Sequence, residues 1–236
     1  MTMIEINLKT VRARIAAACR AAGRAESDVS LLAVSKTFGP EAVGEAWAAG
    51  QSAFGENYIQ EAVQKITQLR QLSDPSRPPL QWHCIGPIQS NKTRLVAAHF
   101  DWVQTVDRIK VAQRLSEQRP PDLPPLQVCI QVNVDGGATK AGVAPPQALA
   151  LAQQVAALPR LQLRGLMCIP EPAPDFVAAC AVFARARAIF DALNAEGLAL
   201  DTLSMGMSAD LEAAIHSGST MVRVGSAIFG GRAKPA

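Results

Sequence analysis

The sequence predicts an α/β fold: a single (β/α)8 barrel of the TIM type with an extra N-terminal helix, forming one domain over residues 1–236. Three observations predict it. Eight short β-rich runs alternate with longer helical patterns, which points to a parallel sheet with helical crossovers. The length of 236 residues suits one compact barrel, a fold that starts at about 200 residues. No G-x-G-x-x-G follows the first strand, which removes the main support for an open dinucleotide-binding sheet.

The elements are expected in the following order. An amphipathic helix over 6–22 comes first; its flank carries Glu5 and Lys9 and lacks a secretory core or cleavage site. The apolar run Leu-Leu-Ala-Val-Ser makes strand 31–35, followed by helix 40–49. Strand 53–55 leads to helix 58–72, strand 82–85 to helix 91–98, and strand 102–106 to helix 109–117. The second half pairs strand 126–134 with helix 145–157 and strand 163–169 with helix 174–196. Strand 202–205, helix 209–216 and strand 221–224 complete the ring. The Pro/Ser-rich stretch 73–79 and the run 120–125 read as loops, each too short for a domain linker.

Composition narrows the function. Hydrophobic residues are 49% and charged residues 18%, enough for a sizeable core. The net charge is +3, the charges are scattered and aromatics are 5%, so the basic stripe and stacking platforms of a nucleic-acid binder are missing. Five cysteines, spread through apolar runs with no C-x-x-C or Cys/His pair at ligand spacing, read as buried reduced thiols without a metal. No apolar stretch reaches the roughly 18 residues of a membrane span. A cytoplasmic protein is expected.

In a barrel, chemistry sits on the loops after the strands. Lys36 closes the first strand there. A lysine at a strand end ordinarily just reaches water, whereas a partly desolvated amine can attack a carbonyl. That reading needs an anion site nearby, and barrels often hold phosphate with the loops after strands seven and eight. Here those loops carry Gly206-Met207-Ser208 and Gly225-Ser226. Ser208 is placed to N-cap a helix starting at Ala209, and glycine lets backbone N–H groups approach an anion closely. Ordinary turn chemistry is the competing explanation for either loop alone.

Arg223, inside the last strand, faces either the helices or the barrel interior. If inward, it lies one step below the phosphate loop, where a bound heterocycle would sit. His83 lies in a strand and either faces the barrel interior or packs as a satisfied core histidine, and His99 and His216 fall near helix C-termini, where the dipole favours them. Glu56, Asp135 and Asp210 are expected on the rim, without forming an acid/base couple.

These residues resemble a known family. Leu32-Ala33-Val34-Ser35-Lys36-Thr37, Phe54-Gly55-Glu56-Asn57-Tyr58, Trp82-His83 with Ile85-Gly86-Pro87, and Gln89-Ser90-Asn91-Lys92 match the YggS/PROSC-type pyridoxal phosphate homeostasis proteins. The match continues through Leu166-Met167, Ser204, Met207-Ser208, Met221-Val222-Arg223 and Gly225. These proteins are related to the barrel of bacterial alanine racemase.

The resemblance implies pyridoxal 5'-phosphate (PLP) held as a Schiff base on Lys36, its phosphate near Ser208, Gly225 and Ser226, Asn57 lining the pocket and Arg223 near the pyridine nitrogen. An arginine there would keep that nitrogen unprotonated and weaken the electron sink. It further implies a carrier or regulator of vitamin B6 with no evident catalytic activity, handing cofactor to apo PLP-dependent enzymes. Two departures stand out: Phe38-Gly39 replaces a more usual Lys-Pro, and Gly136-Gly137 replaces acidic residues before Lys140.

A second function class stays open: a small amino-acid racemase. Racemisation needs bases on both faces of the cofactor, and the related racemases supply a tyrosine from a second domain. The sequence ends at Ala236 just after the barrel, and its only tyrosine is Tyr58. A Schiff-base aldolase would need an acid/base pair that the rim does not offer. A monomer is expected.

Overall fold

The computed structural model describes residues 1–71, 77–137 and 141–231. Eight parallel strands close into a barrel in chain order, each hydrogen-bonded to the next and β8 to β1. They are β1 Ser30–Val34, β2 Ala53–Glu56, β3 Gln81–Cys84, β4 Trp102–Val106, β5 Leu126–Gln131, β6 Leu161–Met167, β7 Thr202–Ser204 and β8 Met221–Val224. All eight expected strands are present.

The helices are α1 Met3–Ala21, α2 Pro40–Ala48, α3 Ile59–Arg70, α4 Thr93–His99, α5 Ile109–Gln118, α6 Ala148–Ala156, α7 Phe176–Ala195, α8 Leu211–His216 and α9 Ser226–Phe229. The last was not expected; four residues are too few to show helical periodicity. Their ends follow cap chemistry. Thr2 accepts from Glu5 N–H at 3.2 Å ahead of α1, and Asp175 accepts from Ala178 N–H at 2.8 Å ahead of α7. Pro40 occupies the first turn of α2, where its missing N–H costs nothing. Part of the expected 73–79 loop, the last residue of helix 58–72 and Lys140 lie outside the described residues.

Strand residues alternate between two compartments, as closure of a sheet demands. Outward residues such as Ala33, Phe54, Trp82, Val103, Val128 and Val222 join the helices in one large core. Inward residues form two smaller clusters, Leu32 with Val34, Ile85 and Met221, and Trp102 with Cys129 and Met167. Gly55 faces inward, where an added Cβ would come within 3.0 Å of Ile85 Cδ1 and 3.2 Å of Leu32 Cδ2. The barrel is therefore packed through rather than open as a pore.

Between the two inner clusters runs a polar chain. Arg223 Nη1 donates to Ser204 Oγ at 2.8 Å, and Ser204 Oγ donates to Gln104 Oε1 at 2.7 Å. Arginine can only donate, so the serine proton must go to Gln104, and the Gln104 amide must then donate to His83 Nδ1, 3.0 Å away. His83 is thereby fixed as the neutral Nε2–H tautomer, stacked on Trp102 with ring centroids 5.0 Å apart. Burial pushes its pKa down from 6.5 to about 3. Of the two readings the sequence left open, it takes the interior-facing one, and its buried Nε2 has no hydrogen-bond partner among the described residues.

Candidate functional site

The same alternation that puts Leu32 and Val34 inside the barrel carries Lys36 to the interior side at its C-terminal mouth. There, Lys36, Asn57, Ser208, Arg223, Gly225 and Ser226 line one cavity of about 320 Å³. Val34, Ile85 and Ile169 wall it with hydrocarbon, and Phe38 and Met207 stand at its lip. Residues as far apart in sequence as Val34 and Gly230 converge because β1 and β8 are neighbours in the closed ring.

Arg223 answers the inward-or-outward question. It is buried, with Nη2 donating to Cys168 O at 2.8 Å and Nη1 to Ser204. Among the described residues no carboxylate lies within ion-pair distance of it. Burial lowers its pKa, yet a guanidinium stays protonated in a protein. Two of its five N–H groups are used by these bonds, leaving donor capacity and an uncompensated positive charge at the cavity floor.

The loop after β7 differs from expectation. The helix starts at Leu211, not Ala209, so Ser208 is not its N-cap. Asp210 holds that position, and its Oδ1 accepts the Met207 N–H at 2.6 Å. This carboxylate–amide bond closes the turn that carries Ser208 and delays the helix to Leu211. Ser208 is left half-buried at the cavity wall, its carbonyl held by Arg14 of α1 at 3.0 Å. After β8, Gly225 precedes α9, and a Cβ on it would stand 3.1 Å from Val34 O. Glycine at 225 lets the loop lie tight against β1.

Of the three expected rim carboxylates, Asp135 and Asp210 lie on the loops after β5 and β7, and Glu56 needs correction. Glu56 is the last residue of β2 and fully buried on the helix side, 2.6 Å from both Lys65 Nζ and Ser35 Oγ. Burial raises its pKa and Lys65 opposes that rise. Asp135 Oδ2 accepts the Glu171 N–H at 2.6 Å, and Asp210 is spent on Met207. None of the three lines the cavity. Tyr58 is 52% exposed and belongs to a neighbouring groove with Gln60, Gln89 and Lys92. The two departures have local accounts. Phe38 stacks on Phe229 of α9 at 5.1 Å, tying the first loop to the last. Asn133 brackets the glycine pair, accepting from Gly136 N–H and donating to Gly137 O.

What sequence reasoning did not find is the support beneath the mouth: the hydrogen bonds that link Ser204 through Gln104 to His83 inside the barrel, and Lys65 and Glu61 outside it. One signal was available. In α3 the buried stripe Ala62, Ile66, Leu69 includes Lys65, and a lysine on an apolar stripe asks for a buried carboxylate. Four of the five cysteines are buried, and Cys180 is half-buried. Among the described residues no acidic, histidine and cysteine cluster could hold a metal, and no helix is long and apolar enough to cross a membrane.

Residues 6–233 match the family model of the alanine racemase N-terminal domain. A pyridoxal phosphate homeostasis protein of Pseudomonas aeruginosa is 58% identical over 98% of this chain and 97% of its own length. One from Escherichia coli K12 is 50% identical over 98% of each chain. PipY of Synechococcus elongatus, solved with PLP bound, superposes with a TM-score of 0.81 at 36% identity, covering 96% of this chain and all of that one. Alanine racemase of Clostridium difficile shares the fold alone, at 14% identity and a TM-score of 0.72 over 95% of this chain and 56% of that one. The chain thus belongs to the alanine racemase N-terminal domain family, and within it to the pyridoxal phosphate homeostasis proteins.

Proposed function

We propose that this chain binds PLP at the barrel mouth and serves vitamin B6 homeostasis as a carrier or regulator, the whole of residues 1–236 acting as one PLP-binding unit. The observation that carries the reading is the meeting of an amine, a buried arginine and two small hydroxyl-bearing loops in one apolar-walled cavity. The donor set suits the group. Lys36 offers the amine that condenses with an aldehyde, with loss of water, to a Schiff base. Ser208, Gly225 and Ser226 offer hydroxyls and close backbone approach to a phosphate. The buried Oδ1 of Asn57 has no partner and awaits a donor.

Once bound, PLP supplies an aldehyde and an electron-withdrawing ring. Arg223 bears on how far that ring can act. Held by Ser204 and Cys168 O, it keeps its protons and presents donors only. A ring nitrogen facing it stays unprotonated, which makes the site better at holding cofactor than at stabilising a carbanion. Among the described residues no carboxylate lines the cavity, which accords with the same assignment. The racemase alternative needs a second base, and the tyrosine available to it, Tyr58, points its exposed ring into the neighbouring groove.

The proposed setting is the cytoplasm, the proposed state a monomer, and the proposed recipients apo PLP-dependent enzymes. Borohydride reduction of the PLP-loaded chain followed by peptide mapping is the test. A pyridoxyl group on Lys36 is expected; none, or one on another lysine, refutes the site. Sustained conversion of an L-amino acid to its enantiomer would overturn the carrier role, and transfer to an apo-enzyme no faster than free dissociation would overturn delivery.

A further inference from the structure

Thr37, next to Lys36, has φ of 68°, the left-handed region that a β-branched residue avoids. It sits in a turn closed by Phe38 N–H to Ser35 O at 3.1 Å, so Lys36 and Thr37 are its two central residues. Glycine is the usual occupant of a positive-φ turn position. Something must hold threonine there.

Two side chains of α3 do so. Glu61 Oε1 accepts the Thr37 N–H at 2.8 Å. Lys65 Nζ donates to Ser35 O at 3.0 Å, to Glu61 Oε1 at 3.3 Å and to Glu56 Oε1 at 2.6 Å. Ser35 Oγ donates to that same Glu56 oxygen. Thus the backbone is gripped on each side of Lys36, at the carbonyl before it and the amide after it. Lys65 is only 3% exposed and Glu56 is fully buried, with the second Glu56 oxygen unpartnered. A buried pair of this kind adds little net stability over apolar packing, so its use lies in what it fixes.

We propose that Glu61 and Lys65 are positioning residues that hold the Lys36–Thr37 turn in its strained form and so set where the Lys36 amine meets the cofactor. This rests on Lys36 being the attachment point. Strained, over-determined backbone of this sort gathers at ligand clamps. Glu56 acts one step further back, by accepting from Lys65 Nζ at 2.6 Å and so anchoring that side chain in its buried place.

The test compares Glu61→Ala, Glu61→Gln, Thr37→Gly and the double variant Thr37→Gly/Glu61→Ala in the full chain. PLP uptake by the apo-protein is followed by absorbance and by the fraction trapped with borohydride. Glu61→Ala is expected to weaken or slow uptake about tenfold, the scale of a left-handed non-glycine residue losing its hold. Glu61→Gln keeps an acceptor for the Thr37 amide and stays within about twofold. Thr37→Gly needs no hold, so the double variant recovers most of the loss.

A merely structural role predicts no such suppression. Wild-type uptake by Glu61→Ala, or a double variant as impaired as the single one, overturns the proposal. Hydrogen exchange at the Thr37 amide reads the grip without cofactor: slow in the wild type, fast in Glu61→Ala. A wild-type chain with a protected Thr37 amide but no pyridoxyl-Lys36 refutes the cofactor reading and leaves the grip intact.

Discussion

Replacing His83 by asparagine separates the titration of the inner polar chain from its hydrogen bonds. Asparagine can present an oxygen near the place of Nδ1, so the Gln104 amide keeps an acceptor while the titrating ring is gone. The ring is neutral in the fold down to about pH 3, against an ordinary 6.5 in the unfolded chain. Between those values the unfolded chain binds the extra proton. The stability owed to His83 is complete above pH 6.5 and is lost as the pH falls toward 3. From pH 7 to pH 5 that loss amounts to about 2 kcal/mol. Urea unfolding at the two pH values measures it. The wild type should lose about 2 kcal/mol more than His83→Asn over this step, whatever the variant's lower stability at pH 7 from the lost stack on Trp102. Equal losses in the two proteins would show that His83 is not held neutral, and the tautomer chain from Arg223 would fall with it.

Further outcomes follow from the same geometry. Gly225→Ala, whose Cβ would press against Val34 O and Cβ at 3.1 and 3.3 Å, should weaken PLP binding about tenfold in an absorbance titration while leaving unfolding nearly unchanged. Arg119 is 3% exposed and donates to Ala97 O, Phe100 O and Pro124 O. Its replacement by methionine should cost on the order of 2–3 kcal/mol in chemical unfolding. Burial pushes the thiols of Cys84, Cys129 and Cys168 up to about 12. Native titration with a disulfide reagent should therefore leave these three silent, with Cys180 the fastest to react.

The parts of the fold that could be read from sequence are those carried by repetition. Eight apolar runs spaced by amphipathic stretches leave few alternatives, and the period-two pattern in Leu32, Val34 and Lys36 gives the direction of the lysine once the sheet is closed. Lys36, Ser208, Gly225 and Ser226 needed no side-chain detail, because strand ends in a barrel must share one mouth; the pocket roles of Asn57 and Arg223 came from the family resemblance. Boundaries were less legible. The start of α8 depended on Asp210 closing the preceding turn onto the Met207 N–H, a local contact that no periodicity records. Glu56 was misplaced by one residue of strand length, which swaps the rim for the buried outer face. The inner chain linking Arg223, Ser204, Gln104 and His83 joins four strands and has no sequence pattern at all.

The closing seam of the barrel has a consequence for how the chain matures. Lys36 follows the first strand and Ser226 the last, and Asn7 of α1 is tied to Ile228 O across the same junction at 2.9 Å. A chain that lacks β8 cannot complete this pocket, since Lys36 follows the first strand and Arg223, Gly225 and Ser226 belong to the last. Pairing across such a span is the slow, late kind of contact. A ligand lodged over the seam therefore works as a latch: it binds only the finished ring, and each bound molecule opposes reopening there. Cofactor uptake would then double as a readout of completed folding, so a cell short of the vitamin would hold this protein in its least securely fastened form.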